Sequence, residues 1–228
     1  MRVNPQYSLV SGESVASKVA GHQRRKMYEA FLAETGIQPQ DSVLDVGVTG
    51  EQTYSHSNPL IQWYPHKRQI TASGVDDASF LEEMFPGVKF VRADGRRLPF
   101  ADQQFDYVYS NATVEHVGSR DRQAIFLGEA WRVARKGIFV TTPNRWFPIE
   151  LHTQLPFAHW LPPRIFRRIC GIAGMGFFAL EDNLNLLSAP ALRRLALSVG
   201  IENFKIEHVT LGGWPSNLLL VARRSGGV

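Results

Sequence analysis

Cysteine is almost absent from this chain, since Cys170 is the only one in 228 residues. A single cysteine excludes a disulfide within the chain and is typical of a protein from a reducing compartment. Because Cys170 lies in an apolar stretch with no partner residue, we expect a buried structural thiol rather than a nucleophile.

Long hydrophobic runs are lacking as well. The longest, at residues 169–180, is well short of the ~20 apolar residues that a membrane-spanning helix needs. Residues 1–21 contain no apolar core flanked by basic residues, so no signal peptide is predicted. These absences favour a cytoplasmic protein.

Long basic runs are also missing, although the net charge is +4. Nucleic-acid binding needs a basic patch or stripe, so no nucleic-acid partner is predicted. Residues 161–169 place basic and apolar side chains side by side. This stretch predicts either an amphipathic helix in peripheral contact with a membrane or a lid that packs on its own domain.

Short β-branched runs alternate with helical patterns from residue 42 onward, which is typical of a parallel sheet covered by helices. The last two predicted strands are only five residues apart, too close for a helical crossover but suitable for a hairpin. The predicted elements are helices at 17–35, between the fourth and fifth strands and at 189–199, and strands at 42–48, 70–76, 88–94, 105–111, 137–143, 201–211 and 217–223. We expect a single domain made of an N-terminal helical cap (1–40), a core (42–143), a lid (144–187) and a closing helix and hairpin (188–228).

Acidic residues and glycines stand at the carboxyl ends of these predicted strands. Open α/β sheets bind cofactors at this edge, where glycine lets the backbone approach a ligand and a carboxylate accepts hydrogen bonds from ribose hydroxyls. A plainer interpretation exists for each, since a glycine can simply serve a turn and Asp76 or Asp77 can cap the following helix. The residues concerned are Asp45, Gly47, Gly50, Asp76, Asp77, Asp94, Gly95 and Asn111.

Five segments in this order resemble the class I S-adenosylmethionine-dependent methyltransferases of the type 11 group. They are Val-Leu-Asp-Val-Gly, Gly-Val-Asp, Ala-Asp-Gly with Leu-Pro-Phe, Phe-Asp-Tyr-Val, and Ser-Asn-Ala with Glu-His-Val. The resemblance covers residues 41–143. It implies an α/β, Rossmann-like fold with a seven-stranded sheet, mostly parallel with the last strand antiparallel, helices on both faces, and S-adenosylmethionine as the cofactor.

The same resemblance implies a role for each strand-end residue. Asp45, Gly47 and Gly50 would line the methionine end of the cofactor, Asp76 would hold the ribose, Asp94 and Gly95 would face the adenine, and Asn111 would lie near the sulfonium. The glycine loop departs from the usual Asp-x-Gly-x-Gly-x-Gly, because Thr49 and Glu51 stand where the later glycines occur. We therefore expect a reshaped cofactor loop.

Histidine supplies the candidates for acceptor chemistry. Methyl transfer to oxygen or nitrogen needs a positioned acceptor and often a base near neutral pKa. The predicted bases are His152, after the fifth strand, and His116, after the fourth. Each also has a structural alternative: His116 can fix the start of a helix, and His152 can satisfy a loop carbonyl. The predicted acceptor is a small molecule or a glycan- or lipid-type molecule.

Two other functions stay open on the sequence. A nicotinamide-dependent oxidoreductase is disfavoured by the missing Gly-x-Gly-x-x-Gly and by the C-terminal hairpin. A non-catalytic relative would use the fold for binding or assembly. No P-loop, Gly-x-Ser-x-Gly or cysteine and histidine cluster is present, so no metal is predicted. The oligomeric state is left open.

Overall fold

The computed structural model describes residues 15–50 and 57–224, and within them one seven-stranded sheet is surrounded by helices. The strands are β1 (Val43–Val46), β2 (Ile70–Gly74), β3 (Lys89–Arg92), β4 (Phe105–Asn111), β5 (Ala134–Pro143), β6 (Phe204–Leu211) and β7 (Trp214–Arg223). The helices are α1 (Val15–Thr35), α2 (Pro59–Trp63), α3 (Phe80–Met84), α4 (Arg120–Val133), α5 (Pro163–Ile172) and α6 (Ala189–Ser198).

The strand order is β3-β2-β1-β4-β5-β7-β6. Strands β1 to β5 are parallel to one another, whereas β7 runs antiparallel to both β5 and β6. This arrangement confirms the predicted Rossmann-like fold with an antiparallel last strand. It also differs from the all-parallel sheet of a dinucleotide dehydrogenase.

The closing hairpin is tighter than the sequence predicts. Gly212 and Gly213, with φ of +59° and +82°, form a two-residue turn of the kind that joins antiparallel strands. Strand β7 therefore begins at Trp214, three residues before the predicted start, and Trp214 pairs with Leu211. Strand β5 likewise begins three residues early, at Ala134, because α4 ends directly before it.

Both faces of the sheet are covered, as a mostly parallel sheet requires. On one face, Phe126 and Leu127 of α4 and Leu192 of α6 pack into one buried cluster with the sheet. On the other face, the Phe31 ring of α1 lies 5.1 Å from the Tyr109 ring of β4, measured between centroids. The two layers hold the carboxyl ends of the central strands in fixed positions.

Residues 144–187, the segment predicted as a lid, lie between β5 and α6. Its ends meet in an isolated parallel bridge between Asn144 and Leu187. It has a small apolar core of its own that includes Phe166, Cys170 and Phe178. Burial raises the pKa of the Cys170 thiol to about 11, so this cysteine is the unreactive structural residue that the sequence predicts.

Among the described residues, no helix is both long enough and apolar enough to cross a membrane.

Candidate active site

Asp45 of β1 lies beside Tyr109 of β4 in the sheet register, and both side chains are buried. Burial raises the pKa of the Asp45 carboxyl to about 8. Within the described ranges, no donor reaches this carboxyl and the Tyr109 hydroxyl is likewise without a hydrogen bond. Buried polar groups normally have partners, so these two are the kind of groups that a ligand satisfies.

Gly47 turns the chain at the end of β1. Its N–H and that of Val48 donate to the Ser73 carbonyl at the end of β2, at 2.8 and 3.1 Å. Its φ is +94°, and a Cβ at this position would lie only 2.1 Å from Oγ1 of Thr113. Any side chain here is therefore excluded twice, by the backbone conformation and by Thr113.

The rest of the predicted glycine loop is only partly described. Gly50 is buried. Glu51, one of the two departures from the usual glycine pattern, lies outside the described residues.

The two aspartates after β2 differ in their partners. Oδ1 of Asp77 accepts the Ser79 N–H at 3.0 Å, and this hydrogen bond lowers the pKa of Asp77. Asp76 is exposed, and no described residue donates a hydrogen bond to it. Neither aspartate caps α3, whose N-cap is Ser79 and has no side-chain cap; Asp77 instead holds the turn before this helix, and the Asp76 carboxylate is left available.

Asp94, after β3, is already engaged within the protein. Its Oδ2 lies 3.0 Å from Nε and 2.6 Å from Nη2 of Arg96, and these bonds lower the pKa of Asp94. Gly95 is needed for packing, because a Cβ there would lie 2.5 Å from the Phe126 ring. Asn111 ends β4, and its Oδ1 accepts a hydrogen bond from Thr141 at 2.9 Å.

The structure brings the two predicted bases together. After β4, Ala112 takes a left-handed conformation with φ +50°, and a short 3₁₀ turn carrying Glu115 and His116 follows. His152 reaches this turn from the predicted lid, and its Nε2 lies 3.1 Å from Nε2 of His116. The two rings are almost perpendicular, at 88°.

The second nitrogen of each ring faces an oxygen that can only accept. Nδ1 of His116 lies 2.7 Å from the Asn183 carbonyl, and Nδ1 of His152 lies 2.7 Å from Oε1 of Glu150. Both Nδ1 atoms must therefore carry a proton. The two Nε2 atoms consequently direct their remaining lone pairs toward each other, unless a shared proton or another cation lies between them.

The electrostatics assign the positive charge of this pair to His152. Burial lowers the pKa of His116 to about 3, which keeps its imidazole neutral. At His152, burial opposes the charge but Glu150 outweighs it, so the pKa is raised. Glu150 is also buried, yet His152 and nearby backbone N–H groups lower its pKa to about 2. An ionised carboxylate thus holds the protonated ring of His152.

Glu115 is a residue of this site to which the sequence analysis gave no role. Its side chain is fully buried, and Oε2 accepts a hydrogen bond from Thr142 of β5 at 3.0 Å. Its Oε1 has no hydrogen bond in the described part of the chain and lies 3.9 Å from Nε2 of His116. Burial raises the pKa of Glu115 to about 7. The only sequence signal for it was its place in the Glu-His-Val segment.

The sequence matches one family, and its fold matches solved structures. Residues 62–141 match the family described as Methyltransferase domain, which confirms the predicted resemblance and agrees with the predicted enzyme class and cofactor. No curated protein matches the sequence significantly.

Three solved structures illustrate the shared fold. A Thermotoga maritima methyltransferase, described as a possible histamine N-methyltransferase, is 16% identical, with 92% of each chain covered and a TM-score of 0.59. Magnesium protoporphyrin IX methyltransferase of Synechocystis, with bound S-adenosylhomocysteine, is 14% identical, with 96% of this chain and 91% of that chain covered and a TM-score of 0.60. The 1,6-didemethyltoxoflavin-N1-methyltransferase of Burkholderia thailandensis is 14% identical, with coverages of 91% and 80% and a TM-score of 0.60. At these identities the likeness establishes the fold alone.

Proposed function

We propose that this chain, which has the class I methyltransferase fold and matches a methyltransferase domain over residues 62–141, transfers the methyl group of S-adenosylmethionine to an oxygen or nitrogen atom of its acceptor. The observation that carries the proposal is the contact between His116 and His152 after β4 and β5. These histidines share one edge of the sheet with Asp45 and Gly47. Ligands of open α/β sheets bind at this edge.

The cofactor supplies an electrophilic methyl group, and the ends of β1 to β3 would hold it. Asp45 and Asp76 are carboxylates without a hydrogen-bond donor among the described residues, so both can accept bonds from an amino group or ribose hydroxyls. Gly47 leaves the backbone accessible beside them. Asp94 would face the adenine, although both of its carboxylate oxygens already accept hydrogen bonds from Arg96. Gly50, Gly95 and Asn111 would complete this side of the site.

The histidine pair would take the proton of the acceptor. When both rings are neutral, their Nε2 atoms would together receive one proton from a hydroxyl or amine, whose lone pair would bond to the methyl carbon as the bond from that carbon to the cofactor sulfur breaks. Glu150 stabilises the imidazolium that forms at His152. General bases of this kind contribute about 10²–10⁴-fold to a rate.

Ligand binding and turnover test the proposal separately. S-adenosylhomocysteine should stabilise the folded protein by ~2.7 kcal/mol at a hundredfold excess over its dissociation constant, whereas NAD should not. A folded sample that shows no thermal shift with saturating S-adenosylhomocysteine would refute the proposed cofactor. A labelled-methyl screen of acceptors would then separate an enzyme from a non-catalytic relative, which binds the cofactor but transfers nothing.

The acceptor is proposed to be of the lipid type, supported by the surface of the predicted lid. Eight of the thirteen exposed large hydrophobic side chains in the described residues lie between residues 146 and 180, with Ile172 at 79% exposure. Exposed apolar patches of this kind mark lipid or partner surfaces. On α5, the exposed Arg164 and Arg168 flank the exposed Ile165. Such a mixture suits peripheral contact with an anionic membrane.

Vesicle binding tests this part of the proposal. The wild-type protein should co-sediment with vesicles that contain anionic lipid, and Ile165→Glu and Ile172→Glu should reduce the bound fraction. Leu197→Glu, at an exposed apolar position of α6, is the matched control. Equal binding by all three variants, or no binding by the wild type, would instead favour a small-molecule or glycan-type acceptor.

A further inference from the structure

Glu115, His116 and His152 bring three candidate metal-ligand atoms close together. Their candidate ligand atoms all lie within 4.8 Å of one another. The two Nε2 atoms are 3.1 Å apart, and Oε1 of Glu115 is 3.9 Å from Nε2 of His116. Two nitrogen ligands of a tetrahedral zinc ion, each at about 2.0–2.1 Å from the metal, are separated by about 3.3 Å. The observed spacing is therefore close to that of a bound ion.

The hydrogen bonds behind these atoms are those of ligating histidines. A histidine that binds a metal almost always donates its other ring N–H to a carboxylate, a backbone carbonyl or water. His152 donates to the Glu150 carboxylate, and His116 donates to the Asn183 carbonyl. In both rings a proton is thereby held on Nδ1, and when no shared proton lies between the rings Nε2 has the lone pair that a metal requires.

Glu115 supplies the independent observation. Its Oε1 is a completely buried carboxylate oxygen that accepts no hydrogen bond from any described residue, while its Oε2 is satisfied by Thr142. Burying such an oxygen without a partner is costly. A cation between Glu115 and the two rings would satisfy this oxygen and relieve the opposition of the two Nε2 lone pairs.

We propose that Nε2 of His116, Nε2 of His152 and Oε1 of Glu115 bind one divalent transition-metal ion of the zinc type. Two histidines and one carboxylate form the three-residue ligand set of catalytic zinc sites, which keep a further position open. Hard ions such as Mg²⁺ prefer oxygen ligands and fit this set less well. The sequence predicts no metal because these ligands come from separate segments without a metal-ligand spacing.

This site deepens the proposed function and rests on it for its role. The open position would take the oxygen or nitrogen of the acceptor, and the ion would make its proton easier to remove. In the metal-bound state the two histidines are ligands rather than bases, so the proton of the acceptor would leave to solvent water. Metal binding itself requires neither cofactor nor acceptor, so it can be measured independently.

Calorimetry on chelator-treated full-length protein, without any cofactor, tests the site. Zn²⁺ should bind with a stoichiometry of one, Co²⁺ should give the visible spectrum of a low-coordinate site, and Mg²⁺ should not compete. Glu115→Gln and His152→Ala should weaken Zn²⁺ binding by more than the roughly 10–100-fold that loss of an outer-shell partner causes. Glu150→Gln, which alters only that outer shell, should fall within this range. His208→Ala, at an exposed histidine of β6, is the matched control and should bind normally.

Two results would overturn the metal site. One is a folded wild-type protein that binds neither Zn²⁺ nor Co²⁺ in a saturable way, which leaves a shared proton between the rings. The other is unchanged Zn²⁺ binding in Glu115→Gln. This substitution hardly changes the shape of the side chain, so it tests the site even if His152→Ala does not fold. Binding of S-adenosylhomocysteine by the metal-free protein, measured in parallel, distinguishes failure of this site from failure of the proposed function.

Discussion

The carboxyl edge of the sheet has two halves, whose ionisable side chains differ in their hydrogen bonds. After β1 and β2, Asp45 and Asp76 receive no hydrogen bond from any described residue. After β4 and β5, His116, His152 and Glu150 are bonded to one another or to backbone carbonyls. The first half has acceptors to offer to a ligand, whereas the second is already assembled.

This difference predicts how substitutions in each half should affect binding and folding. A carboxylate that bonds mainly to a ligand contributes to binding and little to folding. A side chain in a buried network contributes to both, because its loss leaves its partners unsatisfied. The following predictions test this contrast, beginning with the largest expected effect.

Removing the imidazole of His152, in the half after β4 and β5, should have the largest effect. His152→Ala is expected to reduce turnover by roughly 10²–10⁴-fold and to leave the affinity for S-adenosylhomocysteine nearly unchanged, because His152 lies on the acceptor side. Single-turnover rates and calorimetry would measure the two quantities, with His208→Ala as the control. Normal turnover in a folded His152→Ala sample would move the predicted base to His116.

Removing the carboxylate of Asp76, in the half after β1 and β2, should change cofactor binding instead. Asp76→Ala is expected to weaken S-adenosylhomocysteine binding by about 1.5–3 kcal/mol without unfolding the protein, since hydrogen bonds to a charged acceptor are lost. Asp77→Ala is the matched control, because Asp77 accepts the Ser79 N–H in the turn before α3 and should affect binding little. A larger loss of S-adenosylhomocysteine binding in Asp77→Ala than in Asp76→Ala would instead assign the ribose to Asp77.

Gly47→Ala probes the turn that links the two halves. The left-handed conformation alone should cost about 1–3 kcal/mol of unfolding free energy, and contact with Thr113 should add to it. Gly36→Ala, with φ +63° and no atom within 4 Å of the added Cβ, isolates the conformational part. In denaturant unfolding, Gly47→Ala should be the less stable variant, and Thr113→Ala should partly rescue it. Equal stability of Gly47→Ala and Gly36→Ala would mean that Thr113 moves aside freely.

The last expected effect is gradual and depends on pH. The pKa of Asp45 is about 8 in the folded protein and near the ordinary 3.8 when unfolded, so between these values the folded state binds more protons. The contribution of Asp45 to unfolding free energy is therefore fully present below about pH 4 and declines as pH rises through about 8. Asp45→Asn should flatten this slope in denaturant titrations at several pH values. If the unfolding free energy of Asp45→Asn depends on pH as strongly as that of the wild type, another ionisable group causes the dependence.

Most of the fold was predictable because its signals are local. The strand 105–111 was predicted with the bounds that β4 has, since a short apolar run between turn residues is recognisable in a sequence. The errors at β5 and β7 are boundary errors of three residues. They arose because α4 continues into β5 without a loop and because Gly212 and Gly213 alone make the hairpin turn.

The candidate site was predictable in its parts but not in its assembly. Strand ends and their order along the chain indicated Asp45, Gly47, Asp76 and the two histidines. The sequence could not decide which of Asp76 and Asp77 is engaged before α3, because that depends on which carboxylate meets the Ser79 N–H. Nor could it reveal the pairing of Arg96 with Asp94, which reduces the acceptor capacity of that carboxylate.

By itself, the sequence determined the alternation of strands and helices, the antiparallel closing hairpin and the resemblance to methyltransferases, because periodicity and turn chemistry act over a few residues. Only the tertiary structure decided that Glu115 and His116 meet His152, 36 residues beyond His116. The path of residues 144–187 makes that contact, and no periodic pattern specifies this path. The physical reason is that a buried cluster depends on which lone pairs and protons meet in space, and residues distant in sequence carry no local signal of that meeting.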